Sequence, residues 1–247
     1  MILNQAKNIM LGSREVQKAY LGTQLVWERH TGYDSTKAAL VPLDSELQET
    51  DNVQYFTTLA ELKTAAMQLN TRYAVYVGAD SGITKIGNYE FRSYSHLTRI
   101  YLPNTVTSIG TGAFYECSGL TEIELPDSVT SVGDYAFYSC GNLKTVKVGN
   151  GLPRFSRSTF ETCGHIESVT IGNGTVYIQN IFNYAFHQLE AKTAVIEIGS
   201  GIVNIDSMAF NNNSYKIKKI ILHKAENSVS GAPWGAAGAE IVWMGEE

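Results

Sequence analysis

Apolar and polar positions along this chain fall into a block that returns at a nearly fixed step. Each full block holds a branched residue, a glycine and, five positions after the first, a phenylalanine. The copies are Ile86, Gly87 and Phe91; Ile109, Gly110 and Phe114; Val132, Gly133 and Phe137. Looser copies join Phe155 to Phe160, Ile181 to Phe186, and Ile205 to Phe210. The phenylalanines advance by 23, 23, 23, 26 and 24 residues. A second block runs in phase. Leu97, Ile100 and Leu102 precede Pro103, and Leu120, Ile123 and Leu125 precede Pro126. Leu143, Val146 and Val148 precede Gly149, and Ile166, Val169 and Ile171 precede Gly172. Val195, Ile196 and Ile198, then Ile217, Ile220 and Leu222, are looser copies, and Val75 and Val77 are a partial one. The last two apolar positions of each copy flank an exposed one, which is strand periodicity. Successive strands are expected to stack into one parallel sheet at about 4.7–4.9 Å.

Residues 97–119 show how one unit works. Leu97, Ile100 and Leu102 point inward, and Pro103 ends the strand because it cannot donate to a ladder. Val106 and Ile109 form a second short extended piece, and Gly110 permits the turn that follows. Ala113 and Phe114 are expected on a short helical turn, with Phe114 inside and Cys117 closing the coil. One coil cannot bury its own apolar face; about six stacked coils make a continuous column whose ends need caps. A period of about 20–29 residues marks a leucine-rich-repeat solenoid. The expected fold is therefore an α+β repeat solenoid of short parallel strands and short helical turns. Phe91, Phe114, Phe137, Phe160, Phe186 and Phe210 would form its interior column. Cys117, Cys140 and Cys163, again 23 apart, would form a ladder of buried thiols rather than disulfides.

The segments outside the repeat differ in pattern. Thr58 to Asn70 reads as a helix, opened by a Thr58–Glu61 capping box and carrying Leu59, Leu62, Ala66 and Leu69 on one face. Asn70 would end it, and the helix would cover the first coil. Residues 33–57 are polar and acidic and read as a linker. Residues 1–32 read as short apolar strands broken by glycine turns, a separate small β module. Residues 226–247 read as a β cap on the solenoid of 58–225, with Trp27, Trp234 and Trp243 shielding the ends.

The consensus of residues 97–163 resembles the BspA-like class of bacterial leucine-rich repeats. Residues 164–222 follow it more loosely, and 75–96 match its second half. That resemblance implies a surface or adhesion protein that binds other proteins or host components. A second resemblance lies at the ends. Asn8 through Glu28, with its Tyr20-Leu21-Gly22 turn and Leu25-Val26-Trp27-Glu28 strand, looks like a short module of phage tail and baseplate proteins. The Gly231-Ala232-Pro233-Trp234-Gly235 run before Ile241-Val242-Trp243 resembles the close of phage-encoded repeat proteins. Together these imply attachment to other virion proteins through residues 1–32, and recognition of a bacterial envelope protein or glycan by the solenoid. The alternative is a cell-surface adhesin domain; homo-oligomerisation is left open.

Composition narrows the classes. A net charge of −5 with 17% charged residues argues against a nucleic-acid surface. Met1 to Asn8 lacks a basic start followed by an apolar stretch, so no signal peptide is read and the virion is the expected location. No apolar run approaches the roughly 18 residues of a membrane span. His30, His96, His165, His187 and His223 form no metal-ligand spacing, and neither a metal nor a cofactor is expected. Glu122 and Glu124 could in principle act as an acid/base pair, but they lie on an open face; no catalytic constellation is found. The exposed strand positions are the candidate binding surface: Arg99, Tyr101, Glu122, Glu124, Thr145, Lys147, Ser168, Thr170, Glu197 and Lys219. Tyr89, Tyr94, Tyr115, Tyr135, Tyr138 and Tyr184 lie beside the phenylalanine turn, where flat rings with hydroxyl tips suit protein or sugar contacts.

Overall fold

A computed structural model describes residues 7–11, 14–21, 24–31, 34–46, 48–50, 52–179, 182, 185, 193–211 and 216–245, with 7–31 described by backbone course and pairing. Six parallel strands form one wall in chain order: Glu122–Leu125, Thr145–Val148, Ser168–Ile171, Ala194–Ile198, Ile217–Leu222 and Glu240–Trp243. The preceding coil, Leu97–Tyr101, joins this wall where the Thr121 N–H donates to the Thr98 carbonyl at 3.0 Å. The second extended piece of each coil also stacks. Lys85–Ile86, Ser108–Ile109 and Ser131–Val132 form one short parallel ladder, and Tyr177–Ile178 with Asn204–Ile205 form another. Inward residues alternate with outward ones, as in Glu122–Leu125, where Ile123 and Leu125 are buried and both glutamates exposed.

The interior column is aromatic. Ring centroids are 5.5 Å apart for Phe91–Phe114, 5.1 Å for Phe114–Phe137 and 5.2 Å for Phe137–Phe160, with the rings stacked in nearly parallel planes. The next ring is Phe182, 5.5 Å from Phe160, followed by Phe210 at 5.8 Å. This corrects the expectation that Phe186 continues the column. The true register runs through Ile178, which pairs with Ile205, and not through Ile181. Ala185 then occupies the slot held by cysteine elsewhere: its N–H donates to the Phe182 carbonyl, as the Cys117 N–H does to Phe114. Phe186, Ile181 and Tyr184 lie outside the described residues, as does the Trp27 side chain.

The corner expected as a short helical turn is a string of i→i+3 turns. The N–H groups of Ala113, Tyr115 and Cys117 donate within their own coil, to Gly110, Gly112 and Phe114. Those of Gly112, Phe114 and Glu116 donate instead to Asp134, Ala136 and Tyr138 of the next coil. Diverting every second donor prevents helix propagation. It also places two residues per coil at positive φ: Tyr89 and Ser93, Gly112 and Glu116, Tyr135 and Ser139, Ser158 and Thr162.

All three cysteines are free and fully buried. Their thiols donate to carbonyls of the preceding coil, Cys117 to Phe91 at 2.8 Å, Cys140 to Phe114 at 3.2 Å and Cys163 to Phe137 at 3.0 Å. Burial pushes the Cys117 thiol up from 9.0 to about 12, and Cys140 shifts the same way for the same cause. The protonated thiol is the neutral form, so an unfolded chain loses these protons first. The Cys117 contribution is therefore intact below pH 9 and is lost as pH climbs from 9 towards about 12, and that of Cys140 is lost in the same direction. Urea midpoints measured from pH 8 to 11 should fall with pH, and less steeply when both Cys117 and Cys140 are replaced by alanine. The folded protein should resist alkylation at pH 8 until it is denatured.

The segment before the repeat is not a linker. Gln54–Phe56, Ala38–Pro42, Tyr73–Val77 and Leu97–Tyr101 form a four-stranded sheet in that order, antiparallel except for the last pair. Ala38 to Val41 are all buried. The helix spans Leu59–Ala66, with both arms of the Thr58–Glu61 capping box formed. It stops at Met67 instead of Asn70. Leu62 and Ala66 enter the main core, and Lys63 pairs with Glu90 of the first coil at 2.7 Å. Lys7–Leu11, Arg14–Leu21 and Gln24–Thr31 form a separate antiparallel sheet. At the other end, Trp234 is fully buried, donates from its indole to the Ser230 carbonyl at 2.7 Å and meets Trp243 edge-on at 6.4 Å.

Candidate binding surfaces

The outward positions of the parallel wall do form columns. Glu122, Thr145, Ser168, Val195, Lys219 and Glu240 are register partners. So are Glu124, Lys147, Thr170, Glu197, Ile221 and Val242. Yet the charges on this face largely satisfy one another. Arg99 pairs with Glu122 at 3.0 Å, Lys147 with Glu124 at 3.9 Å and Lys219 with Glu240 at 3.3 Å. His223 meets Glu197 at 2.7 Å. Pairs this exposed stabilise by about 0.2–1 kcal/mol each, and they leave the face electrostatically balanced. Thr145, Ser168 and Thr170 supply neutral hydroxyls between them.

Tyr101 departs from the expected open face. Its ring stacks on Tyr76 at 4.2 Å and packs against a small second core of Ala39, Val41, Leu43, Ala74 and Tyr76. The Tyr76 hydroxyl donates to Glu49. The segment around Leu43 to Val53 thus covers the sheet face of the first coils, and burial raises the pKa of the Tyr101 phenol.

The tyrosines beside the phenylalanine corner make a different surface. Two columns line an open groove of about 510 Å³ that crosses four coils. One is Tyr89, Tyr135 and Ser158, with Gly112 at the 23-residue step between the two tyrosines; the other is Arg92, Tyr115, Tyr138 and Glu161. Tyr115 and Tyr138 stack at 4.9 Å, and Tyr135 meets Tyr138 edge-on at 5.8 Å. The Arg92 guanidinium lies 5.2 Å from the Tyr115 ring and 5.8 Å from that of Tyr89; Arg157 lies 5.8 Å from Tyr135. Among the described residues, neither arginine has an ion-pair partner. Tyr89 rests across Gly112, where a Cβ would come within 2.3 Å of its ring. Glycine there keeps the floor low between two tyrosines. Tyr94 is not part of this surface; it is buried edge-on against Phe91 at 5.6 Å.

Arg92, Arg157, Ser158 and Glu161 are absent from the sequence-derived candidates. Their signal is present, because Arg92, Tyr115, Tyr138 and Glu161 are spaced 23 residues apart. Reading it requires scanning every phase of the repeat for polar and aromatic columns, rather than the strand alone. Among the described residues no group of three or more His, Cys, Asp or Glu could hold a metal, and no helix is long and apolar enough to cross a membrane.

A stack of 23-residue coils with one parallel wall, an inner aromatic column and ligand-accessible flanks defines a leucine-rich-repeat solenoid. Residues 84–218 and 177–230 match the BspA type leucine rich repeat region, in six copies. The chain belongs to that family. Its fold is shared with a leucine-rich repeat protein of T. pallidum, at 22% identity over 64% of this chain and 81% of that one, with a TM-score of 0.52. A leucine-rich repeat protein from Bacteroides ovatus matches at 20% identity over 65% and 52%, TM-score 0.40. A leucine rich cell surface protein from Faecalibacterium prausnitzii matches at 20% identity over 63% and 62%, TM-score 0.39. Among curated proteins, none matches the chain.

Proposed function

We propose that this chain is a non-enzymatic binding protein of a phage or prophage particle, associated with the tail or baseplate, which recognises a component of the bacterial envelope. The observation that carries the binding role is the open Tyr–Arg groove. It presents aromatic rings and two guanidinium groups that form no ion pair among the described residues, on a surface where most main-chain donors are already used between coils. Solenoids of this kind commonly work through extended surfaces. Binding without chemistry is favoured because Glu122 and Glu124 are each held by a basic neighbour on an open wall, away from the groove. The particle role draws on the likeness of residues 8–28 and 231–243 to phage tail segments. An antiparallel sheet at 7–31, set apart in topology from the parallel solenoid, suits an attachment module.

The test has two arms. The intact chain should bind whole bacterial cells of a susceptible strain, and a variant lacking residues 1–31 should still bind them but be lost from purified particles. Undiminished incorporation of the shortened chain, with no binding of the intact one, would refute both halves. Native mass measurement on the same samples reports the subunit number.

A further inference from the structure

We infer that the Tyr–Arg groove is the binding site for a linear polysaccharide bearing carboxylate groups, such as a uronate-containing chain. The inference rests on the reading above that the solenoid is a recognition surface, and it names the ligand class and the residues. Three features of the groove select this occupant.

The first is what the groove lacks. An extended peptide binds chiefly by adding main-chain hydrogen bonds to an exposed strand edge. Here most main-chain donors are already used. The N–H groups of Tyr89, Ser93, Gly112, Glu116, Tyr135 and Ser139 all donate to carbonyls of the next coil. The lining is chiefly tyrosine rings and hydroxyls, two guanidinium groups, Ser158 and the Glu161 carboxylate. A sugar chain, with apolar ring faces and hydroxyls around its rim, matches that inventory.

The second is the charge pattern. Arg92 and Arg157 sit at opposite ends, three coil steps or about 15 Å apart along the stack. Neutral tyrosines lie between them. A guanidinium fork donates two parallel hydrogen bonds to a carboxylate. Well-separated acids on an otherwise neutral chain fit this spacing. A dense polyanion such as nucleic acid does not, because Glu161 lines the same groove and the whole chain carries a net charge of −5.

The third is that the tyrosines are kept against backbone preference. Tyr89 and Tyr135 have φ of 53° and 57°, in the left-handed region, where the equivalent residue of the coil between them is Gly112 at 57°. Such positions strain the backbone of a bulky residue. Left-handed backbone favours glycine at both, so the rings are retained for the groove surface they build with Tyr138 and the two arginines.

The experiment uses the full chain and measures titration with oligogalacturonate, with the same oligomer after its carboxyl groups are reduced, with poly(glycerol phosphate) and with poly-glutamate. Saturable binding of oligogalacturonate is expected, weakened about tenfold or more by carboxyl reduction and by Arg92→Gln or Arg157→Gln, the size of one lost charge-assisted contact. Tyr135→Gly should also weaken binding about tenfold while melting at or above the temperature of the unaltered protein, which separates ligand contact from fold support. Lys218→Gln, an exposed position on the Ile217–Leu222 strand, should bind unchanged. The inference is overturned if carboxyl reduction or the arginine variants leave affinity intact, if only the phosphate polymer or the peptide binds, or if no probe binds. Cells still captured equally by Arg92→Gln, Arg157→Gln and Tyr135→Gly would remove the groove while leaving the envelope-recognition role standing. Failure of the intact chain to bind cells removes that role itself.

Discussion

Replacing Phe137 by alanine should lower the unfolding free energy by about 3–5 kcal/mol and divide a single melting transition into two. Phe137 is fully buried, with stacked rings 5.1 Å away on one side and 5.2 Å on the other. Truncation removes both stacked pairs and leaves a void that neighbouring coils cannot close, because each is held to the next by a saturated backbone ladder. A domain of this size has about 5–15 kcal/mol in total, so the loss is a large fraction of it. In a solenoid, stability is approximately a sum over coils and their nearest-neighbour contacts. A defect at the middle of the column therefore uncouples the coils before it from those after it. Calorimetry should show a second, lower transition for Phe137→Ala and a single, mildly shifted one for Phe137→Leu, which keeps most of the volume. A single transition lowered by under about 1 kcal/mol in the alanine variant would mean the column does not carry the stack.

How much of this was legible beforehand varies by element, for physical reasons. Phe91, Phe114, Phe137 and Phe160, the thiol ladder and the alternating wall all follow from a step of 23 residues that local patterning displays directly. The register failed at Phe182 because Ala185 and Phe186 imitate the Ala–Phe pair of the earlier coils. The strand position, stepping 23 residues from Phe155 to Ile178, was the safer guide, since Tyr177–Ile178 pair with Asn204–Ile205 and Tyr177 bridges to Arg154. Ala38 to Val41 were overlooked because their burial comes from pairing with Tyr73–Val77, over thirty residues away. The groove was half visible. Its tyrosines stood out, but Arg92 and Arg157 meet those rings from neighbouring coils, a contact that exists only once the coils are stacked. The wall was legible in position, but the ion pairs between its coils exist only once the coils are stacked.

Gly174→Ala should be as damaging as loss of a core ring, at about 3 kcal/mol or more, although residue 174 lies at a surface turn. A Cβ there would stand 1.6 Å from the carbonyl oxygen of Asn150 in the preceding coil, and one at Gly201 would stand 1.6 Å from that of Asn173. The obstacle is backbone, which cannot rotate away as a side-chain tip can. It is also pinned, since the Asn150 side chain accepts the Asn173 N–H at 2.8 Å, and Asn173 accepts the Ser200 N–H at 2.8 Å. Relief requires parting two coils, which breaks the hydrogen bonds and the apolar contacts between them together. The earlier coils solve the same corner differently. Thr105 and Ser128 follow a Pro–Asx pair, and their hydroxyls reach back to the carbonyls of Ile83 and Val106. The later coils use Gly–Asn–Gly or Gly–Ser–Gly and bring the chains closer, so glycine at 174 is demanded by approach and not by turn flexibility. Gly141 provides the contrast, as a Cβ there meets nothing within 4 Å. Gly141→Ala should leave stability unchanged or raise it by about 0.4–1 kcal/mol through the unfolded chain. Urea denaturation of the two variants side by side decides the matter: equal midpoints would show that the coils can slide apart at the asparagine corner without cost, and the close-approach account would be wrong.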